Sequence, residues 1–180
     1  MDIWSVSPPQ ELNRQAESVC YLPHHFVLKD SSTTKLRVVF DASAKTSSGV
    51  SLNDKLLVGP KLQDDLVPLL IRFRTHQVAL CADVAKMYRQ VRVCQEDADY
   101  QRIVWRENSS EQISDFRLVT VTYGTASAPY LSTRVLQQIA IDEGEAYPLA
   151  ARVVERDFYV DDYVSGASSV EEAVEMIFFN

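Results

Sequence analysis

Two adjacent aspartates, Asp161 and Asp162, stand inside the run Phe158-Tyr159-Val160-Asp161-Asp162-Tyr163-Val164, whose aromatic and β-branched residues otherwise spell a strand. Charged groups are depleted from buried strands, so the pair demands an explanation. If the two acids form the tight turn of a hairpin, both carboxylates stand at the sheet edge, where they repel unless a cation lies between them. A third acid, Asp83, follows the apolar run Val78-Ala79-Leu80-Cys81-Ala82 and can complete the cluster from a second strand. Such a cluster suits phosphoryl transfer, in which two divalent ions about 3.5–4 Å apart activate the attacking hydroxyl and stabilise the leaving oxygen. Mg²⁺ fits because it keeps few protein ligands and shares the rest with substrate phosphates. The same acids also suit a capped surface turn and a helix cap, and the residue types alone leave both readings open.

The elements that would position these acids follow from periodicity and turn chemistry. Tyr21 to Lys29 and Lys35 to Asp41 are apolar runs separated by Asp30-Ser31-Ser32-Thr33-Thr34, a strand, turn, strand pattern. Ser43 to Asp54 reads as a loop. Leu66, Leu69, Leu70 and Phe73 recur at helical spacing and predict an amphipathic helix ending near His76, with Pro68 in its first turn. Val78 to Ala82 suits a central strand, with Asp83 where it emerges. Ile103 to Trp105 and Phe116 to Tyr123 predict a hairpin with a long turn. Leu131, Val135 and Ile139 mark a helix with Ser127 as cap, Pro129 in the first turn and Gly144 beyond the end. Ser169-Val170-Glu171-Glu172 matches a capping box and predicts a last helix with Ala173, Val174 and Ile177 on one face. The segment up to about Ser18 reads as a loop or short helix. Strands and helices interleave irregularly, which predicts an α+β fold rather than a doubly wound parallel sheet.

Composition bounds the rest. The 180 residues, 46% hydrophobic and 24% charged, sit in the ordinary globular range. The N-terminus, Met1-Asp2-Ile3-Trp4-Ser5, is acidic where a signal peptide is basic, and no apolar run is long enough to span a bilayer. The expectation is therefore a soluble, intracellular, cytoplasmic protein without a membrane partner. Cys20, Cys81 and Cys94 show no C-x-x-C spacing and are expected to be reduced, mostly buried thiols. The net charge of −7 opposes a polyanionic partner and predicts weak intrinsic affinity for nucleic acid. His24 and His25, adjacent on a strand, point to opposite faces and cannot chelate one metal together.

Tyr159-Val160-Asp161-Asp162 resembles the double-aspartate signature of reverse transcriptases, and other motifs of that family occur in the same order. Asp83-Val84-Ala85-Lys86-Met87-Tyr88 resembles the first catalytic motif, and Val121 to Pro129 the glycine turn that precedes a helix beside nucleotide and template. The wording is closer still to the polymerase of BEL/Pao-class LTR retrotransposons: Tyr21-Leu22-Pro23-His24-His25, Lys35 to Ser43, Ser51-Leu52-Asn53-Asp54 and Val58-Gly59-Pro60. The resemblance covers roughly Trp4 to Ile177.

The resemblance implies a right-hand polymerase palm, an antiparallel sheet backed by helices, with a fingers hairpin and truncated before the thumb. Residues 1–20 would be a lead-in, 21–77 the fingers portion and 78–180 an incomplete palm. By the same resemblance Asp83, Asp161 and Asp162 are catalytic and hold two Mg²⁺, with Mn²⁺ as the alternative ion and the Val84 carbonyl assisting. Lys29 and Arg37 would grip the triphosphate, and Tyr88 would be the steric gate against a 2′-hydroxyl. Tyr123, where many retroviral enzymes have glutamine, and Gly124 would line the nucleotide pocket. The partners implied are a primed RNA or DNA template and deoxynucleoside triphosphates. By the resemblance the rest of the polyprotein, with ribonuclease H, integrase and capsid, would be expected to lie outside these 180 residues, and an intact element would assemble a virus-like particle. A chain that stops one helix after Asp162 is expected to synthesise little or no DNA alone. The rival reading is a non-enzymatic retrotransposon relic that at most binds nucleic acid. An aspartic protease does not fit, because Asp41-Ala42-Ser43 lacks the Thr or Ser and the Gly it requires. A viral RNA polymerase or nucleotide cyclase would carry a smaller residue than Tyr88.

Overall fold

The computed structural model describes residues 4–6, 19–28 and 36–178. The fold is α+β, with antiparallel sheets and several helices: strands β1 (Trp4–Val6), β2 (His24–Leu28), β3 (Leu36–Phe40), β4 (Val78–Asp83), β5 (Arg102–Trp105), β6 (Ser114–Leu118), β7 (Phe158–Tyr159) and β8 (Asp162–Ala167) alternate with helices α1 (Leu66–Phe73), α2 (Met87–Gln90), α3 (Ala128–Glu143), α4 (Pro148–Arg156) and α5 (Val170–Phe178). The chain forms two compact units, Met1–Val58 with Tyr88–Ala128, and Gly59–Met87 with Pro129–Asn180. Among the described residues no helix is long and apolar enough to cross a membrane.

The first unit holds the β2–β3 hairpin, in the antiparallel register His24↔Phe40 to Leu28↔Leu36, and the sheet β1-β6-β5. Lys29 and the turn after it lie outside the described residues. Its core gathers Leu22, Phe40, Ala42, Ile103 and Leu118. His24 packs its ring against Phe40 and Trp105, with centroids 6.1 and 5.9 Å apart, while His25 is exposed, so the pair is divided between packing and solvent. Two differences from the sequence expectation stand out. Trp4–Val6 is a strand paired with β6, and β6 ends at Leu118, so residues 119–123 leave the ladder. Of the cysteines, Cys20 is half-buried, but Cys81 and Cys94 are exposed rather than buried; all three are free thiols.

Beneath that sheet lies a buried ionic network with no signature in the sequence. Asp99 accepts hydrogen bonds from Arg102 (Nε, 2.9 Å) and Arg117 (Nε, 2.7 Å), and Arg102 also lies 3.5 Å from Asp115. Arg102 is 1% exposed, Asp99 4% and Arg117 6%, a burial that such charges reach only when paired. Burial pushes the Asp99 carboxyl up, but the hydrogen bonds and charges of Arg102 and Arg117 outweigh it and hold it below the usual carboxylate range.

The second unit is built on the antiparallel sheet β4-β8-β7. β8 is its central strand and β4 an edge, the reverse of what the apolar run of β4 suggests, because β8 pairs with both neighbours. β4 is accordingly exposed at Ala79, Cys81 and Ala82. α1 ends at Phe73, tolerates Pro68 in its first turn, and buries Leu69 while Leu66 and Leu70 remain exposed. α5 begins as the capping box predicts: Glu172 N–H donates to Ser169 Oγ at 3.2 Å, while the Glu172 carboxylate accepts from Ser168 N–H rather than from the cap itself. α4 was not expected from the sequence; Pro148 at its start is its one conventional signal.

Candidate active site

The acids belong to the second unit, and strand register decides where they stand. Asp83, the last residue of β4, pairs with Asp162, the first of β8, and Asp162 pairs in turn with Tyr159. Residues directly opposite in an antiparallel pair share a face, so Tyr159, Asp162 and Asp83 form one row across the sheet, and all three are exposed. The alternate row, Phe158, Tyr163 and Ala82, borders a cavity of about 380 Å³ that is also lined by Val153 and Val154 of α4 and Met176 and Ile177 of α5. One face of the sheet thus meets helices, while the register sets Asp83 and Asp162 in the other row; Asp83, at the end of β4, also borders this cavity.

The turn differs by one residue from the expected Asp161-Asp162. Phe158↔Tyr163 and Tyr159↔Asp162 close the hairpin, which leaves Val160 and Asp161 as its two-residue turn. Val160 adopts φ 58°, left-handed backbone that a β-branched residue rarely takes. Lys86, three residues after Asp83, has φ 54°. Such strain persists only where the surroundings impose it, and it concentrates at functional sites. The surroundings here include Gln63, whose Oε1 accepts from Val160 N–H at 3.0 Å and whose Nε2 donates to the Phe158 carbonyl at 3.3 Å. Val84 N–H donates to the Asp161 carbonyl at 2.9 Å, tying the turn to the end of β4, and the Val84 carbonyl accepts from Met87 N–H at 3.1 Å.

Among the described residues no three His, Cys, Asp or Glu side chains are gathered as a cage for a metal ion. The donor set still fits Mg²⁺, which is held by one or two carboxylates and completes its shell from water and substrate phosphate. Asp83 and Asp162, like charges directly opposite on an exposed row, supply that pair, with Asp161 next to it.

The remaining candidates belong to the first unit. Arg37, on β3, places its guanidinium carbon 5.9 Å from the Tyr123 ring centroid. The Tyr123 hydroxyl donates to the Val38 carbonyl at 2.8 Å, and its ring lies 5.2 Å from that of Phe40. Tyr88 is half-buried on α2. Gly124 has φ 94°, and a Cβ there would sit 2.6 Å from the Phe40 carbonyl oxygen, so the close approach that requires glycine is to β3. Replacing Gly124 by Ala is expected to cost about 1–3 kcal/mol, read as a lower denaturation midpoint at an unchanged slope in urea.

Two further positioning residues escaped the sequence reading. Asn53 donates to the Gly124 carbonyl (3.0 Å) and to Ser43 Oγ (2.9 Å) and accepts from Ala126 N–H (2.7 Å), clamping the glycine turn. Arg89 places its guanidinium carbon 5.8 Å from the Tyr123 ring centroid. Asn53 lies in the Ser51-Leu52-Asn53-Asp54 segment already singled out, whereas nothing local distinguishes Arg89 or Gln63 from a solvated side chain. A scan against protein-family models finds no match to this chain, and a search of curated proteins finds none either.

Proposed function

We propose that the chain is the fingers-and-palm part of an RNA-directed DNA polymerase of the BEL/Pao retrotransposon class, adding deoxynucleotides to a primer 3′-hydroxyl on an RNA or DNA template. The observation that carries this reading is the exposed Tyr159–Asp162–Asp83 row beside the strained Val160–Asp161 turn. A polar surface turn needs neither a β-branched residue at positive φ nor a second aspartate delivered across the ladder.

In this reading Asp83 and Asp161 are the principal metal ligands and Asp162 supports them. Two bound Mg²⁺ ions would supply hydroxyl activation and neutralise charge on the leaving oxygen. Arg37 and Lys29 hold the triphosphate, and the Tyr88 ring excludes a 2′-hydroxyl. The residues thus supply positioning and fixed charge, the two contributions that dominate phosphoryl transfer.

Mn²⁺ binding followed by electron paramagnetic resonance tests the reading. With dTTP present, the chain is expected to bind two Mn²⁺, and Asp83→Asn and Asp161→Asn are each expected to lose about tenfold or more in affinity. Mn²⁺ binding that is indifferent to Asp83 would overturn it.

A further inference from the structure

We propose that Arg89 is a second triphosphate-gripping residue and that Tyr123 is the positioning residue that holds Arg37 and Arg89 for that task. The inference rests on the nucleotidyl-transfer reading for the identity of the ligand, and on the first unit alone for its geometry.

Two guanidiniums lie within cation–π reach of one ring, Arg37 at 5.9 Å and Arg89 at 5.8 Å from its centroid. Among the described residues neither forms an ion pair, whereas Arg102 and Arg117 of the same unit are both neutralised by Asp99. Two positive charges held beside one ring, with no carboxylate among the described residues to offset either, leave both free to engage an anion. Guanidinium offers a planar fork that matches phosphate oxygens two at a time, so a polyphosphate suits the pair better than a monovalent ion does.

Tyr123 is fixed at both ends, its hydroxyl on the Val38 carbonyl and its ring against buried Phe40. A ring so held orders two long side chains that would otherwise sample many rotamers, which lowers the entropy lost when they grip a ligand. The glycine that follows keeps this backbone against β3, and Asn53 clamps the far side of the turn. Tyr123 therefore acts through the arginines, in place of a direct side-chain contact to the nucleotide.

The test is metal-free calorimetric titration of the chain with dTTP, inorganic tripolyphosphate and a single-stranded oligonucleotide at low salt. Arg89→Ala is expected to weaken dTTP and tripolyphosphate about tenfold. Arg89→Gln, of similar size and polarity, should do the same and excludes loss of fold as the cause. Tyr123→Ala should weaken both ligands comparably although it removes no charge, and Tyr123→Phe, which keeps the ring, should restore most of the affinity. Tripolyphosphate binding that is absent, or unchanged in Arg89→Gln, overturns the role of Arg89; so does an effect confined to the oligonucleotide. Unchanged affinity in Tyr123→Ala overturns the positioning role. If the Arg89 dependence holds while Mn²⁺ binding ignores Asp83, the polymerase reading fails and the polyphosphate site stands.

Discussion

If the proposed two-metal polymerase reading holds, Asp83→Asn is expected to lower primer extension about 10³-fold, measured in a form of the protein that extends a primed template, because a ligand shared by two ions would supply several kcal/mol of transition-state stabilisation. The same substitution should make the metal-free chain more stable by about 0.2–1 kcal/mol in urea, since it removes one of two carboxylates that face each other across the β4–β8 ladder. A residue that merely holds the fold moves activity and stability together, whereas a ligand site moves them in opposite directions. Asp162→Asn should show the same stabilisation with a smaller loss of activity. A destabilised Asp83→Asn chain would mark the aspartate as structural.

Asp99→Ala should cost about 3–5 kcal/mol, a large share of the 5–15 kcal/mol by which domains are stable, because Arg102 and Arg117 would remain buried without their common counter-ion. Equilibrium urea unfolding monitored at Trp105 reads this directly, and a loss below about 1 kcal/mol would show that the network is loosely solvated. Acid acts on the same group. The Asp99 carboxyl is held below its ordinary value in the folded chain, so its contribution is fully present above about pH 4 and is lost as pH falls through the folded value. Wild type should therefore lose stability below about pH 4, and the Asp99→Ala chain should show a shallower fall there.

Hydrophobic pattern made the hairpins legible: the apolar runs on either side of residues 30–34 and of the two aspartates both became antiparallel pairs. What escaped was whatever depends on distant partners. Turn chemistry favours Asp over Val at the corner of a hairpin, yet Gln63 and Val84 hold the turn one residue earlier, at Val160. The all-apolar run of β4 reads as a central strand, but ladder position is set by β8, which lies far along the sequence. Arg102 and Arg117 look like surface charges until Asp99 is placed beneath them. Cys81 shows the same limit, since an apolar neighbourhood in sequence leaves it exposed on an edge strand.

Neither compact unit is a continuous stretch of chain, because Gly59–Met87 is set between the two segments of the first unit and Tyr88–Ala128 between those of the second. During synthesis the first unit cannot close until the ribosome has released Ala128, and the sheet bearing the aspartates waits longer, since Val78 must find Ala167. β4, apolar and exposed, spends that interval without β8 and is the segment most open to wrong partners. The aspartates are thus brought together by a closure between strands about 80 residues apart, so a nascent chain cannot present the assembled row before β8 has emerged.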